Sequence, residues 1–501
     1  MNEALQHVYD GLYDHQKQAV AVARARKGKA GLFMDMRTGK TRAALFHCWE
    51  TGCQRILVCG SITFLPGWKD EAEAIGYPLP VVDLTALSQT VLYGTKRMKK
   101  LGPAIVLVNY ESYWRKGLRE AILAWGPDAV IMDEAQKIRI RTSKQSRFAH
   151  TLGDQSSVRV KLPLSGTPIC KGLVDVWSIY RFMDPTIFGP WPNFQQTYIR
   201  YGGFQNKVIV GYNFESVAND LIAKTSFQCA KEDVFDLPPR QDIKIAVRLS
   251  PAARKIYDTL SKKAVANLQG LNGSQGVAVA RTALTKILEL QQITGGFVRE
   301  DETKTLIDLS TEKAEAAREI VEAAHNEGEQ VVIFARFIHD LDLICAELAK
   351  IKGLRVERLE GKTPKKIRPE LRRRFWRKEF DVLVSQIKTG SLGIDLASAN
   401  IAVFYSTGYA LDDFLQARDR IYGNTQKAKS VVYYHLVAEK TIDETVMEAL
   451  KNKVSIAQAL TSLSYALTFF LPVDRPDLEP TPEPEPVPKP VTEDFPWLPI
   501  E

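Results

Sequence analysis

Short apolar runs alternate with helical patterns over residues 30–240. Four of these runs are rich in β-branched residues and nearly continuous, at 55–60, 104–110, 129–135 and 158–168. Runs that are apolar on both faces are typical of parallel strands buried between two layers of helices. This part of the chain is therefore predicted to form an α/β lobe around a parallel sheet.

The same alternation returns after a helical middle. Residues 250–268 and 277–293 have apolar positions at helical spacing, and a Gly-rich loop at 269–276 separates them. Strand-like runs then recur from about 311, at 329–335, 354–361, 380–386, 400–406 and 430–438. The simplest architecture has two α/β lobes separated by a helical segment. The expected divisions are 1–245 for the first lobe, 246–310 for the helical segment, 311–471 for the second lobe and 472–501 for a Pro-rich acidic tail without a core.

The charge balance favours a polyanionic partner. The net charge of the chain is +8. Residues 472–501 carry eight acidic side chains against Arg475 and Lys489, a net of −6, which leaves +14 on the rest of the chain. A basic surface of this size suits nucleic acid, although a generally basic protein without such a partner remains the alternative.

Cysteine use and segment hydropathy indicate a cytoplasmic protein. The six cysteines are scattered without a CxxC pair, which is typical of reduced thiols and gives no expectation of zinc. Residues 1–10 lack the basic and apolar parts of a signal peptide. The best membrane candidate, 455–473, is rich in Ser, Thr and Gln, so a packed or docking helix is expected there and no membrane contact.

Two short motifs indicate nucleotide chemistry. In residues 31–45 a Gly-Lys-Thr sequence lies between an apolar strand and a helix start, where backbone N–H groups around Gly39, the ammonium of Lys40 and the hydroxyl of Thr41 can hold phosphate and Mg²⁺. This motif alone is weak evidence for nucleotide binding, because Met34 stands where the strict pattern has glycine. The strand 129–133 then delivers adjacent carboxylates, of which Asp133 would hold the metal ion and Glu134 would polarise the attacking water.

With these motifs placed, the chain resembles the Swi/Snf family of helicase superfamily two over roughly residues 10–455. The resemblance is carried by these segments: 12–20 (LYDHQKQAV), 36–41 (MRTGKT), 132–136 (MDEAQ), 164–169 (LSGTPI), 389–396 (TGSLGIDL) and 416–426 (QARDRIYGNTQ). It implies two RecA-like lobes that close on Mg²⁺ and ATP and step along nucleic acid, most plausibly double-stranded DNA without sequence specificity.

The resemblance also implies roles for individual residues. Gln16 would contact adenine, and the phosphate loop would bind the nucleotide through Arg37, Thr38, Gly39, Lys40 and Thr41. Gln136, Ser165 and Thr167 would couple the nucleotide state to the DNA track. From the second lobe, the residues expected to complete the site on closure are Gly393, Asp395, Gln416 and Arg420.

The chain departs from the family pattern at four places, one of which is Gln228 and Cys229, where the family usually has paired arginines. Gln136 replaces a histidine and is expected to bridge toward 416–426. Gly423 replaces the second arginine of that stretch, while Arg37 stands where the family has glycine. The hypothesis is that Arg37, or else Arg418, supplies the missing positive charge, and that Gly423→Arg would raise turnover if an arginine was simply lost.

The expected DNA track consists of basic runs at 96–100, 137–144, 365–368 and 372–378, each of which could instead be a solvated helix face. Within the last run Phe375 is expected to pack in the core. Trp68 is expected either in the core or beside DNA. Residues 494–500 form a candidate docking peptide for a protein partner, and the chain is expected to be a monomer.

Three functions stay open at this point. The first is an ATP-hydrolysing translocase on double-stranded DNA that remodels or reanneals DNA or displaces bound proteins. The second is a strand-separating helicase of the same superfamily. The third is an ATP-gated DNA-binding adaptor with little turnover, for which the loss of an arginine at Gly423 is the argument.

Overall fold

The first lobe is built on a seven-stranded parallel sheet. The computed structural model of the protein describes residues 3–62, 64–85, 90–166, 172–202, 208–269, 276–300, 305–364, 367–390 and 395–451. The strands of this lobe are β1 (Gly31–Met34), β2 (Arg55–Gly60), β3 (Val81–Asp83), β4 (Ala104–Asn109), β5 (Ala129–Asp133), β6 (Val160–Leu164), β7 (Ile199–Gly202), β8 (Val208–Tyr212) and β9 (Ser226–Cys229). The sheet order is β3-β4-β2-β5-β6-β1-β9, and β7 with β8 forms a separate antiparallel hairpin.

Helices cover both faces of this sheet. They are α1 (Glu3–Asp10), α2 (Asp14–Ala25), α3 (Lys40–Glu50), α4 (Leu65–Ala74), α5 (Thr90–Met98), α6 (Leu118–Trp125), α7 (Lys144–Gly153), α8 (Val174–Met183), α9 (Trp191–Tyr198) and α10 (Glu215–Thr225). Because side chains alternate along a strand, β2 contributes to two cores: Ile56 and Val58 pack on α1–α4, while Leu57 and Cys59 pack on α5–α8. Each such fully buried aliphatic side chain stabilises the lobe by roughly 1.5–3 kcal/mol.

The second lobe is built on a six-stranded parallel sheet. Its strands and those of a short antiparallel hairpin are β10 (Arg240–Val247), β11 (Phe297–Arg299), β12 (Leu306–Asp308), β13 (Val331–Ala335), β14 (Val356–Leu359), β15 (Val382–Gln386), β16 (Ile401–Phe404) and β17 (Val431–Ala438). The sheet order is β10-β17-β16-β13-β15-β14, and β11 pairs with β12. The first strand of this sheet therefore comes from the segment that joins the lobes.

The helices of the middle segment and second lobe follow the predicted pattern. They are α11 (Pro251–Gln269), α12 (Gly276–Gly295), α13 (Glu312–Asn326), α14 (Ile338–Leu348), α15 (Arg368–Trp376), α16 (Ile387–Gly390), α17 (Leu411–Arg418) and α18 (Ile442–Lys451). Again the sheet has a core on each face, since Val332 and Phe334 of β13 pack on one side and Ile333 on the other. Phe375 is fully buried, as expected for a core residue.

The predicted architecture of two α/β lobes with helices between them is confirmed, and every strand-like run singled out in the sequence contains a strand. The boundary expected after residue 245 falls inside β10, which pairs with β17 along its whole length and so belongs to the second sheet. Among the described helices, none has the length and apolar character needed to cross a membrane. Residues 455–473 and the tail lie outside the described residues.

Candidate active site in the cleft between the lobes

A cavity of about 430 Å³ lies where the two lobes meet. The carboxyl ends of parallel strands share one edge of a sheet, and β5, β6 and β1 are neighbours in the first sheet, so the loops after Met34, Asp133 and Leu164 converge there. The predicted residues that line the cavity are Arg37, Gly39, Lys40, Thr41, Asp133 and Glu134 from the first lobe and Asp395 and Arg420 from the second. These eight predicted residues therefore lie around one cavity in the fold.

Two side chains of α2, His15 and Gln16, contact the backbone of the phosphate loop. Gly39 caps α3 with a left-handed φ of 81°, and a Cβ atom there would lie 1.9 Å from Nε2 of Gln16. That amide nitrogen donates to the carbonyl oxygens of Gly39 (3.3 Å) and Thr38 (3.4 Å), and the Thr38 carbonyl also lies 2.8 Å from Nε2 of His15. Gln16, expected from the resemblance to contact adenine, is buried against the loop in this structure.

Lys40, Asp133 and Glu134 form a buried charge cluster. Nζ of Lys40 lies 3.5 Å from Oε1 of Glu134. Burial lowers the pKa of Lys40, but the carboxylates of Glu134 and Asp133 outweigh it and the pKa is raised overall. Burial raises the pKa of Asp133, and the neighbouring Glu134 adds to this. The pKa of Glu134 is lowered because Lys40 and the Gln136 amide overcome its burial, so Glu134 is a carboxylate at neutral pH.

A hydrogen-bonded relay leads from Glu134 toward the loop after β6. Nε2 of Gln136 donates to Oε2 of Glu134 (2.5 Å), and Oε1 of Gln136 accepts from Oγ of Ser165 (2.8 Å). All three side chains are buried. The expected bridge from Gln136 toward 416–426 is replaced here by contact with Ser165, so the described hydrogen bonds of the Gln136 side chain stay within the first lobe. Thr167 lies outside the described residues.

The end of β5 is held by two aromatic residues whose role the sequence did not identify. Nε1 of Trp68 on α4 donates to Oδ2 of Asp133 (2.9 Å), and the hydroxyl of Tyr110 donates to the backbone carbonyl of Asp133 (2.8 Å). Trp68 is buried and also lines the cavity. The core alternative for Trp68 is thus confirmed, and its hydrogen bond to the predicted metal-binding carboxylate is an addition that the sequence did not indicate.

Replacing Trp68 by phenylalanine is expected to weaken the use of Mg²⁺. Phenylalanine keeps most of the ring volume but removes the indole N–H that donates to the Asp133 carboxylate. A hydrogen bond to a charged acceptor contributes about 1.5–3 kcal/mol. We expect the Mg²⁺ concentration for half-maximal ATP hydrolysis to rise by roughly tenfold, measured by titrating Mg²⁺ at saturating ATP. Trp125→Phe is the control, because it removes an indole hydrogen bond to the Gly102 carbonyl in the core on the other face of the sheet. An unchanged Mg²⁺ titration would show that the indole does not orient Asp133.

The second lobe contributes Asp395 and Arg420. The Arg420 side chain is buried, and its guanidinium lies 5.6 Å from the centre of the Phe64 ring. Burial lowers the pKa of Arg420, as does the nearby charge of Arg37. Gln416 lines a separate cavity of about 320 Å³ that Glu134 also borders. Gly393 lies outside the described residues.

The two arginines proposed as substitutes for the missing charge occupy different places. Nη2 of Arg37 donates to Oδ1 of Asp395 (2.7 Å) and to the backbone carbonyl of Arg420 (2.8 Å), inside the cleft. Arg418 instead forms an ion pair with Asp242 at 2.8 Å. Of the two, only Arg37 reaches the cavity that contains Lys40.

The basic runs differ in whether carboxylates neutralise their positive charges. In 372–378, Arg374 lies 2.8 Å from Glu357 and 3.2 Å from Glu379, and Arg373 lies 3.0 Å from Glu370, as expected for a solvated helix face. In 137–144, the guanidinium of Arg141 lies 4.4 Å from the Trp191 ring centre and Nζ of Lys144 lies 4.8 Å from that of Trp114. The second run, whose cations rest on aromatic rings, is the better candidate for phosphate contacts.

Two parallel-sheet lobes that share a cavity lined by a phosphate loop, a carboxylate pair and a second-lobe arginine define a helicase-like nucleotide-binding core. The chain belongs to the SNF2-related domain family, whose model matches residues 15–295. The model of the helicase conserved C-terminal domain matches residues 312–423. The family expected from the motifs is confirmed.

Relatives of known sequence are longer than this chain. A putative ATP-dependent helicase/translocase, YwqA of Bacillus subtilis, is 26% identical over 435 residues, which are 84% of this chain and 45% of that protein. An uncharacterized ATP-dependent helicase, MG018 of Mycoplasma genitalium, is 24% identical over 94% of this chain and 44% of that protein. The chain thus spans less than half the length of these relatives. The Sulfolobus solfataricus SWI2/SNF2 ATPase core in complex with dsDNA superposes with a TM-score of 0.41 at 22% identity, over 88% of this chain and 91% of that one.

Proposed function

We propose that the protein hydrolyses ATP and uses the energy to translocate on double-stranded DNA. The observation that carries the proposal is the convergence of Lys40, Asp133, Glu134 and Arg420, from two separate lobes, on one cavity. Phosphoryl transfer is catalysed mainly by positioning and by opposite charges placed around the phosphates. A site divided between two lobes also couples chemistry to movement, since hydrolysis changes what holds the lobes together.

The residues of the cavity fit Mg²⁺ and ATP by their chemistry. The Thr41 hydroxyl and the Asp133 carboxylate are hard oxygen donors of the kind Mg²⁺ prefers, and the metal supplies charge neutralisation at the phosphates. Lys40 and the N-terminus of α3 would hold the phosphates. Glu134 would accept a proton from the attacking water, and Arg420 would stabilise the charge that develops on the transferred group.

Duplex DNA as the track is supported by family membership and charge. Family members that the chain resembles include proteins described as ATP-dependent helicases or translocases and as chromatin-remodelling ATPases. Among the described residues, Lys137, Arg141 and Lys144 are exposed and no carboxylate lies within ion-pair distance of them. These cations can neutralise DNA phosphates without reading sequence, which gives strongly salt-dependent binding.

The deciding experiment compares the protein with its Lys40→Ala variant. We expect ATP hydrolysis by the wild type to exceed that of the variant at least tenfold and to be stimulated by double-stranded DNA, because the variant lacks the cation that holds the phosphates. Phosphate release at fixed Mg²⁺, with and without linear duplex, measures this. Wild-type hydrolysis no higher than that of the variant would overturn the proposal and leave the ATP-gated adaptor.

Translocation is separated from strand separation by a pair of displacement assays. A translocase that tracks along an intact duplex should displace a third strand from a triplex, in an ATP-dependent manner, without separating the two duplex strands. Both substrates should be run with the same duplex length and salt. Release of the duplex strand at a rate equal to that of the triplex strand would favour the strand-separating helicase.

A further inference from the structure

Arg37 lies where a side chain of residue 423 would otherwise lie. Residue 423 is a glycine, and a Cβ atom added to it would be 2.7 Å from Cδ and 3.0 Å from Nη1 of Arg37. No carbon atom fits at 2.7 Å without movement of its neighbour. The two departures from the family pattern are therefore in direct contact across the cleft, and the absence of a side chain at 423 leaves room for the one at 37.

The backbone conformation at Arg37 also points to a functional role for its side chain. Its φ of 68° is left-handed, a conformation that glycine adopts freely and that non-glycine residues rarely take. Such a residue persists only where its surroundings hold it in place, and such strain is concentrated at functional sites. Here the surroundings are Asp395 and the carbonyl of Arg420, both in the second lobe.

One nitrogen of the Arg37 guanidinium has no hydrogen-bond partner among the described residues. Nη2 of Arg37 makes both contacts to the second lobe, whereas Nη1 is buried and has no hydrogen-bond partner among the described residues. The side chain is only 15% exposed and lines the cavity together with Lys40. A buried guanidinium N–H without a partner is costly, so a turn of the Arg37 side chain toward an anion in the cavity would gain a charge-assisted hydrogen bond.

We propose that Arg37 is a second cationic catalytic residue for ATP hydrolysis, delivered from the phosphate loop of the first lobe, and that Gly423 is required to admit it. This inference rests on the proposed function. Because Arg37 lies three residues before Lys40, the first lobe would carry this cation, and closure of the cleft would have to deliver only Arg420. Arg37 also donates to Asp395, and this contact links the lobes.

The test uses Arg37→Gly, because glycine relieves the left-handed backbone and any loss then comes from the side chain. We expect DNA-stimulated kcat to fall by about 10²-fold, the range for loss of one group that stabilises transition-state charge. The affinity for a non-hydrolysable β,γ-imido analogue of ATP with Mg²⁺ should fall roughly tenfold, while that for ADP changes less than twofold. The proposal would be overturned if the affinities for the imido analogue and for ADP fell equally, or if kcat were unchanged. Arg37→Lys, which keeps the charge but not the planar fork, should lie between these results.

The reciprocal change completes a double-mutant cycle. The gain expected for Gly423→Arg assumed that an arginine had simply been lost. A Cβ atom at 423 would lie 2.7 Å from Cδ of Arg37, so the Arg37 side chain would have to shift, and we expect kcat about tenfold below wild type. In Arg37→Gly/Gly423→Arg the cation returns from the second lobe, and kcat should exceed that of Arg37→Gly at least tenfold. Melting temperatures of all four proteins show whether each is folded. A double variant that is folded but no faster than Arg37→Gly would show that the two positions do not substitute for each other.

Failure of this inference can be told from failure of the proposed function. If the wild type hydrolyses no more ATP than Lys40→Ala, the proposed function is wrong. If the wild type is active and Arg37→Gly matches it in kcat and in nucleotide discrimination, only the role of Arg37 is wrong, and its contact with Asp395 is then a structural link between the lobes.

Discussion

Replacing Glu134 by glutamine is expected to lower DNA-stimulated ATP hydrolysis by roughly 10³–10⁴-fold while leaving Mg²⁺-ATP binding within a few-fold of wild type. The pKa of Glu134 is lowered because Lys40 and Gln136 overcome the effect of burial, so the native side chain is an ionised base at neutral pH. The amide has nearly the same shape and can still accept from Nε2 of Gln136, but it cannot take a proton from water. Single-turnover hydrolysis and fluorescent-nucleotide binding measure the two quantities.

The matched control for this change is Glu73→Gln. It removes the same charge from a side chain of α4 that is 64% exposed and pairs only with Lys69 at 3.7 Å, so hydrolysis should match wild type. A Glu134→Gln variant that hydrolyses ATP within tenfold of wild type would exclude Glu134 as the base. The separate cavity that contains Gln416 also borders Glu134 and would then be the first place to look for another water-activating group.

The fold was predictable because its strongest signals are local. A strand buried on both faces is a short continuous apolar run, and every such run in this sequence contains a strand. The strand β10 was missed as a member of the second sheet because its sequence, Arg240–Val247, alternates polar and apolar residues and lies before the helical middle. Its pairing with β17, nearly 200 residues later, depends on tertiary contacts that local sequence patterns do not reveal.

The candidate site was predictable only where a motif names its residues. Lys40, Asp133 and Glu134 lie together as expected, since they end neighbouring strands or begin the next helix. The Trp68 hydrogen bond to Asp133 depends on how α4 packs against β5, and the link from Gln136 to Ser165 depends on the loop after β6. The contact of Arg37 with Gly423 crosses two lobes. In each case the sequence presents the residue type but not the partner.

Arg420→Ala is expected to have the largest effect of any single change in the second lobe, and Arg418→Ala, two residues earlier at the end of α17, is its control. Arg420 lines the cavity between the lobes and is buried, whereas Arg418 pairs with Asp242, whose side chain is 44% exposed. An arginine that stabilises transferring phosphate is worth about 10³–10⁵ in kcat, while a partly exposed ion pair contributes at most about 1 kcal/mol to stability.

We therefore expect kcat to fall by roughly 10³-fold or more for Arg420→Ala and by less than threefold for Arg418→Ala, measured at saturating ATP and duplex DNA. Both variants lose one positive charge from one stretch of chain, so a general weakening of DNA binding would affect them alike. If Arg37 already supplies one cation to the site, the Arg420→Ala variant should keep measurable turnover that Arg37→Gly/Arg420→Ala loses. Equal turnover of the two single variants would mean that the second lobe closes over the nucleotide without contributing an arginine, and the motor would then depend on the first lobe alone for its chemistry.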